Sequence, residues 1–249
     1  MESVRLLRNS QIIILGVCIA AATIASSVIL SQGFLKVMKF TREQISVTGS
    51  AQKNIISDYV VWTASFSKRD ADLATAYKKL KEDLEKVKKY LVAKGVSEKE
   101  IIIDQIAIKT VYKKNEKGND TNDLQDYILT QCIKVKSGEV DMITQLSRTS
   151  TELLDQGMEF SSGAPEYIYT KLDELKMEML AKATQNAKQR AENMTKATGN
   201  KIGFMRSAKM GVFQITPINS TEVSDWGVND TTSLEKKVTA VVTVSFAIE

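Results

Sequence analysis

The chain has 249 residues, 43% of them hydrophobic and 26% charged, with a net charge of +4. It contains no histidine, which excludes every mechanism that needs a histidine base, including Ser-His-Asp and Cys-His arrangements, and removes the commonest zinc ligand. Lysine and glutamate are interspersed, so no nucleic-acid footprint stands out.

Residues 11–35 carry no charge. Within them, residues 12–30 are almost wholly apolar and as a helix span roughly 28 Å, close to the hydrocarbon thickness of a bilayer. Ile12, Ile13, Ile14, Leu15, Val17, Ile19, Ile24, Val28, Ile29 and Leu30 together favour insertion by about 3–6 kcal/mol. This predicts a short tail over 1–10 and a single-pass anchor over 11–35. A cleaved signal peptide would have an apolar core of about 7–15 residues before its cleavage site. Here the small Ala25-Ser-Ser lies inside the apolar run, with Val28-Ile-Leu beyond it, so an uncleaved signal-anchor is favoured. Arg5 and Arg8 precede the segment, and Lys36, Lys39 and Arg42 follow it. The positive-inside rule therefore does not orient it. Cys18 lies in the anchor and Cys132 in a predicted strand, so the two cannot pair within one chain.

Alternation predicts strands over 44–50 and 56–67, with a turn over 49–57 between them. In the second strand, Val60, Trp62, Ala64 and Phe66 share one face. Residues 70–94 predict a helix with the apolar stripe Leu73, Ala76, Tyr77, Leu80, Leu84, Val87 and Leu91. Asp70 or Asp72 caps its start and Gly95 ends it. Its lysine-rich face reads as a solvated surface laced with Glu-Lys pairs. Residues 101–112 and 127–136 predict a hairpin joined by a polar, mobile connection over 113–123. That connection holds Asn115, Asn119, Asp120 and Asp123 but lacks the acidic spacing of a calcium loop.

A second amphipathic helix is expected over 140–154, with Ile143, Leu146 and Leu153 inward. Short strands follow near 158–160 and 167–169. A long helix over 171–198 has the stripe Leu172, Leu175, Met179, Ala183, Ala187, Ala191 and Met194. A strand over 201–214, a polar stretch over 216–237 containing Trp226, and a strand over 237–248 complete the chain. The expected fold is α+β: largely antiparallel sheets packed by amphipathic helices, in two related units, ββαββ and αβαββ, after one N-terminal transmembrane helix.

Three stretches resemble the SIMPL-domain family, the DUF541 proteins of bacterial envelopes. They are Ile45-Ser-Val-Thr-Gly-Ser-Ala-Gln-Lys followed by Asp58, the alanine-spaced helix from Ala183 closing in Gly199-Asn-Lys-Ile-Gly203, and the final Val238-Thr-Ala-Val-Val-Thr-Val-Ser-Phe. The family often has Pro-Asp where this chain has Ser57-Asp58. The resemblance implies an extracytoplasmic domain over 43–249 that self-associates and has no defined catalytic activity. It favours a bacterial cell-membrane protein with its soluble part on the periplasmic or extracellular side.

The function expected is a membrane-anchored structural or interaction protein that forms homo-oligomers. Its partners would be the membrane, through the N-terminal helix, and further copies of itself, with no nucleic acid. No cofactor, metal or catalytic residue is assigned, and Trp226 is the candidate interaction residue. The alternative is an envelope module binding a lipid, peptide or small metabolite, with a pocket near Tyr59, Tyr77 and Tyr90. An enzyme would have to use acid pairs such as Asp58 with Glu43, or Glu152 with Asp155, and is disfavoured.

Overall fold

The computed structural model describes residues 2–249; for residues 2–13, 36 and 39–42 it describes the backbone alone. The elements are α1 (Glu2–Arg42), β1 (Gln44–Ile56), β2 (Tyr59–Asp70), α2 (Leu73–Ala93), β3 (Ile101–Lys114), β4 (Asp120–Ser137) and α3 (Val140–Thr149). They continue with β5 (Glu159–Ser162), β6 (Glu166–Ile168), α4 (Leu172–Ala197), β7 (Ile202–Met210), β8 (Gln214–Pro217), β9 (Val228–Asn229) and β10 (Glu235–Ile248). The fold is α+β; β2 with β4, β5 and β6, β3 with β4, and β10 with β7 and β8 pair antiparallel, and the short β8–β9 pair is parallel. Two compact units form, and both are discontinuous: residues 1–50, 181–211 and 241–249 make the first, residues 51–180 and 212–240 the second.

The second unit is organised by β2, which pairs along its length with β4 and on its other edge with β5 and β6, while β3 extends the sheet beyond β4. Alternation places Val60, Trp62, Ala64 and Phe66 on one face, all almost fully buried. Ala76, Leu80, Val87 and Leu91 of α2 and Leu129, Ile133 and Val135 of β4 join them in one core. Ile143, Leu146 and Leu153 complete it as expected, although Leu153 sits in a 3₁₀ turn over Ser150–Gln156 rather than in α3. Trp62 donates its indole N–H to Ser162 Oγ at 3.0 Å, and that hydroxyl donates onward to the Ser147 carbonyl at 2.7 Å. The one polar atom of the largest core side chain is thereby satisfied.

The stripe predicted on α2 is narrower in the structure. Leu73 and Tyr77 are exposed, while Ala76 between them and Asp83 further on are buried. Lys68 lies 2.9 Å and Lys86 3.3 Å from the Asp83 carboxylate, so the buried charge is paired. Asp72 is the cap: its carboxylate accepts from the Thr75 N–H at 2.8 Å and the Thr75 hydroxyl at 2.7 Å. On the outer face, Lys79 pairs with Asp70 and Lys88 with Glu85.

Two predicted connections are strand instead. The turn expected over 49–57 shrinks to Ser57 and Asp58, since β1 runs on to Ile56. The mobile connection over 113–123 shrinks to residues 115–119, closed by Asn115, whose side chain accepts from the Lys117 and Asn119 N–H groups at 3.0 Å each. In both places polar residues extend a ladder whose backbone hydrogen bonds do not depend on side-chain polarity. The predicted strand over 201–214 breaks into β7 and β8 around residues 211–213.

In the first unit, α4 lies against β1 at very short range. Ala183, Ala187 and Ala191 are fully buried, and the stripe continues four residues on to buried Thr195, while Met194 is exposed. The Thr195 hydroxyl returns a hydrogen bond to the Ala191 carbonyl at 2.9 Å. A Cβ on Gly49 would lie 2.2 Å from the Ala183 carbonyl oxygen and 2.4 Å from the Ala187 nitrogen. Asn186 accepts from the Ser50 N–H at 3.1 Å, and Arg190 donates to the Thr48 carbonyl at 2.8 Å, so polar bonds bracket the contact. On β10, Val242, Val244 and Phe246 turn to the core of this unit, and β7 pairs with β10 from Val242↔Met210 to Ile248↔Ile202.

Gly49→Ala should therefore destabilise the protein by about 1–3 kcal/mol, because rigid backbone on α4 must retreat. Calorimetry of the two forms side by side checks this. An unchanged Tm would show that the contact is looser than described.

Candidate functional site

Three features stand apart from the packed cores. The first is α1. Residues Ile14–Leu35 form an apolar helix long enough to cross a membrane, with none of that window buried. Ile14, Leu15, Val17, Ile19, Ile24, Val28, Ile29 and Leu30 are all exposed along it. Ile12 and Ile13 lie outside the residues whose side chains are described. Such a helix is what a membrane anchor or a signal sequence requires.

The second is the connection between β8 and β10. Trp226 is 94% exposed and Val223 77% exposed. The backbone beneath them is braced by side chains. Gln214 accepts from the Ser224 N–H at 3.3 Å and donates to the Ser224 carbonyl at 2.6 Å. Lys237 donates to the Ser220 carbonyl at 3.0 Å. Gly227 closes the tip with φ +88°, and a Cβ there would also meet the Phe213 carbonyl oxygen at 2.9 Å. Glu222 precedes Val223 and Asp225 precedes Trp226 in sequence, so the loop is acidic as well as apolar.

The third is chemical. Lys236, on the buried face of β10, is 3% exposed. Its ammonium donates to the Tyr167 carbonyl at 2.6 Å and to the Asp230 carbonyl, clasping β6 to the segment after β9. Burial pushes its pKa below the ordinary lysine value, opposed by the nearby Asp230 charge. Burial pushes the Asp230 carboxyl up, but hydrogen bonds from the Thr232 hydroxyl and N–H and the charge of Lys236 outweigh it, and the group is held below its usual value. Asp230 Oδ2 is buried with no hydrogen-bond partner among the described residues. A cavity of about 200 Å³ lies here, walled by Ile55, Ile168, Leu172 and Ile215, with Tyr167, Tyr169, Asn229 and Thr231 contributing polar groups.

The residues considered from sequence fall elsewhere. Tyr77 is exposed, and the Tyr90 hydroxyl is spent on the Thr149 carbonyl and Glu152 at 3.2 Å each. The Asp58 carboxylate accepts from the Thr170 N–H at 2.7 Å and the Thr170 hydroxyl at 2.8 Å. Glu152 is held below its usual pKa by the hydrogen bond from Lys94 at 3.0 Å, which suits a fixed anion and not a proton donor. Among the described residues no cluster of three or more His, Cys, Asp or Glu side chains gathers to hold a metal. Lys236 was missed because the predicted strand began at residue 237. One further step of the alternation through Val238 and Ala240 would have put it on the buried face.

Replacing Lys236 by methionine should cost about 1–3 kcal/mol, because two carbonyls lose their donor. The pH dependence carries a sharper sign. The folded pKa lies below 10.5, so in the window between them the unfolded chain binds more protons, and this lysine makes stability rise with pH. Denaturant titrations across that window should show the extra slope in the wild type and its loss in Lys236→Met. Parallel curves would rule out a desolvated lysine.

Residues 45–246 match the family described as SIMPL, protein of unknown function (DUF541). No curated protein matches the chain.

Proposed function

The chain belongs to the SIMPL family (protein of unknown function, DUF541), and on that premise we propose a membrane-anchored protein whose body, residues 43–249, self-associates outside the cytosol and carries no catalytic activity. The α1 helix is the retained single-pass anchor. The periplasmic or extracellular side of a bacterial cell membrane is the side the family resemblance favours.

The observation that carries self-association is the braced, exposed Trp226. The loop backbone beneath the exposed indole is held by Gln214 and Lys237, so less of the backbone ordering cost remains for binding. Tryptophan is also the residue type most enriched among binding hot spots. A further copy of the chain is the partner this reading assigns to it. The non-catalytic part is supported by the engagement of the Asp58 and Glu152 carboxylates in fixed hydrogen bonds.

Light scattering coupled to size-exclusion chromatography, on the full-length protein in detergent, tests the proposal. The wild type is expected as an oligomer. Trp226→Ser is expected to weaken association by about 2 kcal/mol or more. A wild-type monomer at every accessible concentration defeats the reading; an oligomer indifferent to Trp226→Ser moves the interface elsewhere.

The cavity at Lys236 favours a second reading, an envelope module for a small ligand. Under it, some member of a panel of lipids, peptides and metabolites raises the Tm of the wild type and not of Lys236→Met. A flat panel removes this reading.

A further inference from the structure

The end of the first unit nearest α1 is assembled from residues far apart in sequence. The helix runs unbroken to Arg42, and Glu43 follows it directly. Ile248 of β10 donates its N–H to the Glu43 carbonyl at 3.3 Å. Glu249 and Lys201 exchange two backbone hydrogen bonds, at 2.9 and 2.8 Å. Three strand ends therefore lie side by side, and at one strand spacing per step Lys201 sits roughly 10 Å from Glu43. The turn from α4 into β7 is thus fixed beside the exit of α1.

The distance to the membrane follows from the helix rise. Leu35 closes the candidate span, and Glu43 lies eight helical steps beyond it, or about 12 Å. The polar layer of a bilayer occupies roughly 5–7 Å on each side of the hydrocarbon. The strand ends then stand within a Debye length, about 8 Å, of the headgroups.

An open cleft of about 450 Å³ lies at this turn, lined by Glu192, Thr195, Lys196, Gly199, Asn200, Lys201 and Ile202. Lys196 and Lys201 are exposed on it. The carbonyls that close α4 do not oppose an anion there, because Asn200 N–H caps Thr195 and Gly199 N–H caps Lys196. The acids nearby are Glu192, which faces Lys188 at 3.8 Å, Glu249, and Glu43. The last two turns of α1 add Lys36, Lys39 and Arg42 in sequence.

We infer that Lys196 and Lys201 in the α4–β7 cleft bind the headgroups of anionic phospholipids. The inference rests on reading α1 as a retained anchor. Charge complementarity and continuity with the membrane-crossing helix select the occupant: a bilayer is the one anionic surface that the anchor itself brings to this cleft.

Native mass spectrometry of the full-length protein in detergent, titrated with phosphatidylglycerol or phosphatidylcholine, tests the inference. The wild type should bind phosphatidylglycerol about tenfold or more tightly than the Lys196→Gln/Lys201→Gln variant does, with phosphatidylcholine binding unchanged. Lys78→Gln/Lys81→Gln on the exposed face of α2 should bind like the wild type. Equal phosphatidylglycerol affinity in the wild type and the cleft variant overturns the inference while leaving the anchor intact. Inorganic phosphate bound at the cleft with the affinity of the lipid overturns the assignment to a bilayer. The same spectra report the intact mass: a chain lacking residues 1–35 defeats the anchor, and the inference with it.

Discussion

The first unit depends on how closely the backbone of β1 can approach the backbone of α4. At Gly49 the separation leaves no room for even a methyl group, and the facing residues on α4 are Ala183 and Ala187. Each alanine removes little apolar surface from water, so burial area alone contributes less here than a leucine seam would. Close approach restores part of the difference through dispersion, which falls off within an ångström of contact. The hydrogen bonds from Arg190 to Thr48 and from Ser50 to Asn186 flank the same contact and fix its register. Glycine on the strand and alanine on the helix are two halves of one steric solution.

Much of the architecture could be read from residue order alone, and the exceptions share a cause. The periodic segments were legible because burial imposes the period: the β2 face, the β10 face, and the inward residues of α3 fall where alternation or helical spacing puts them. The ends of β1 and the β3–β4 hairpin were not legible, because there the ladder continues past the core and side-chain polarity stops reporting on backbone pairing. On α2, Asp83 took a place expected to be apolar, since Lys68 on a neighbouring strand supplies a countercharge that helical periodicity cannot reveal. The exposure of Trp226 was likewise open in the sequence. Gln214 and Lys237, which hold its loop out, act across turns that have no fixed spacing.

Buried charge in the second unit is placed where chain segments need joining. Lys236 clasps the carbonyl of Tyr167 and that of Asp230, joining β6 to the segment after β9. Ser57 makes a related bond through its N–H, to the Leu234 carbonyl at 2.9 Å. The family often has proline at that position, which has no such donor. In this chain the two-residue link between β1 and β2 is therefore tied to the start of β10 by an interaction that a proline would forgo. A desolvated ammonium is a costly fastener, and its lowered pKa reflects that cost.

The junction between α1 and β1 is a single residue, Glu43. Many tethered bodies hang from a slack linker and tumble freely above the lipid. A helix that passes into a strand through one residue has almost no swivel, so the azimuth of the span and that of β1 are geared together. Adding one residue ahead of the joint would turn the strand by about 100° relative to the span. If α1 is the retained anchor proposed above, copies in one leaflet would meet with restricted headings, and the proposed search for a neighbour would begin partly solved.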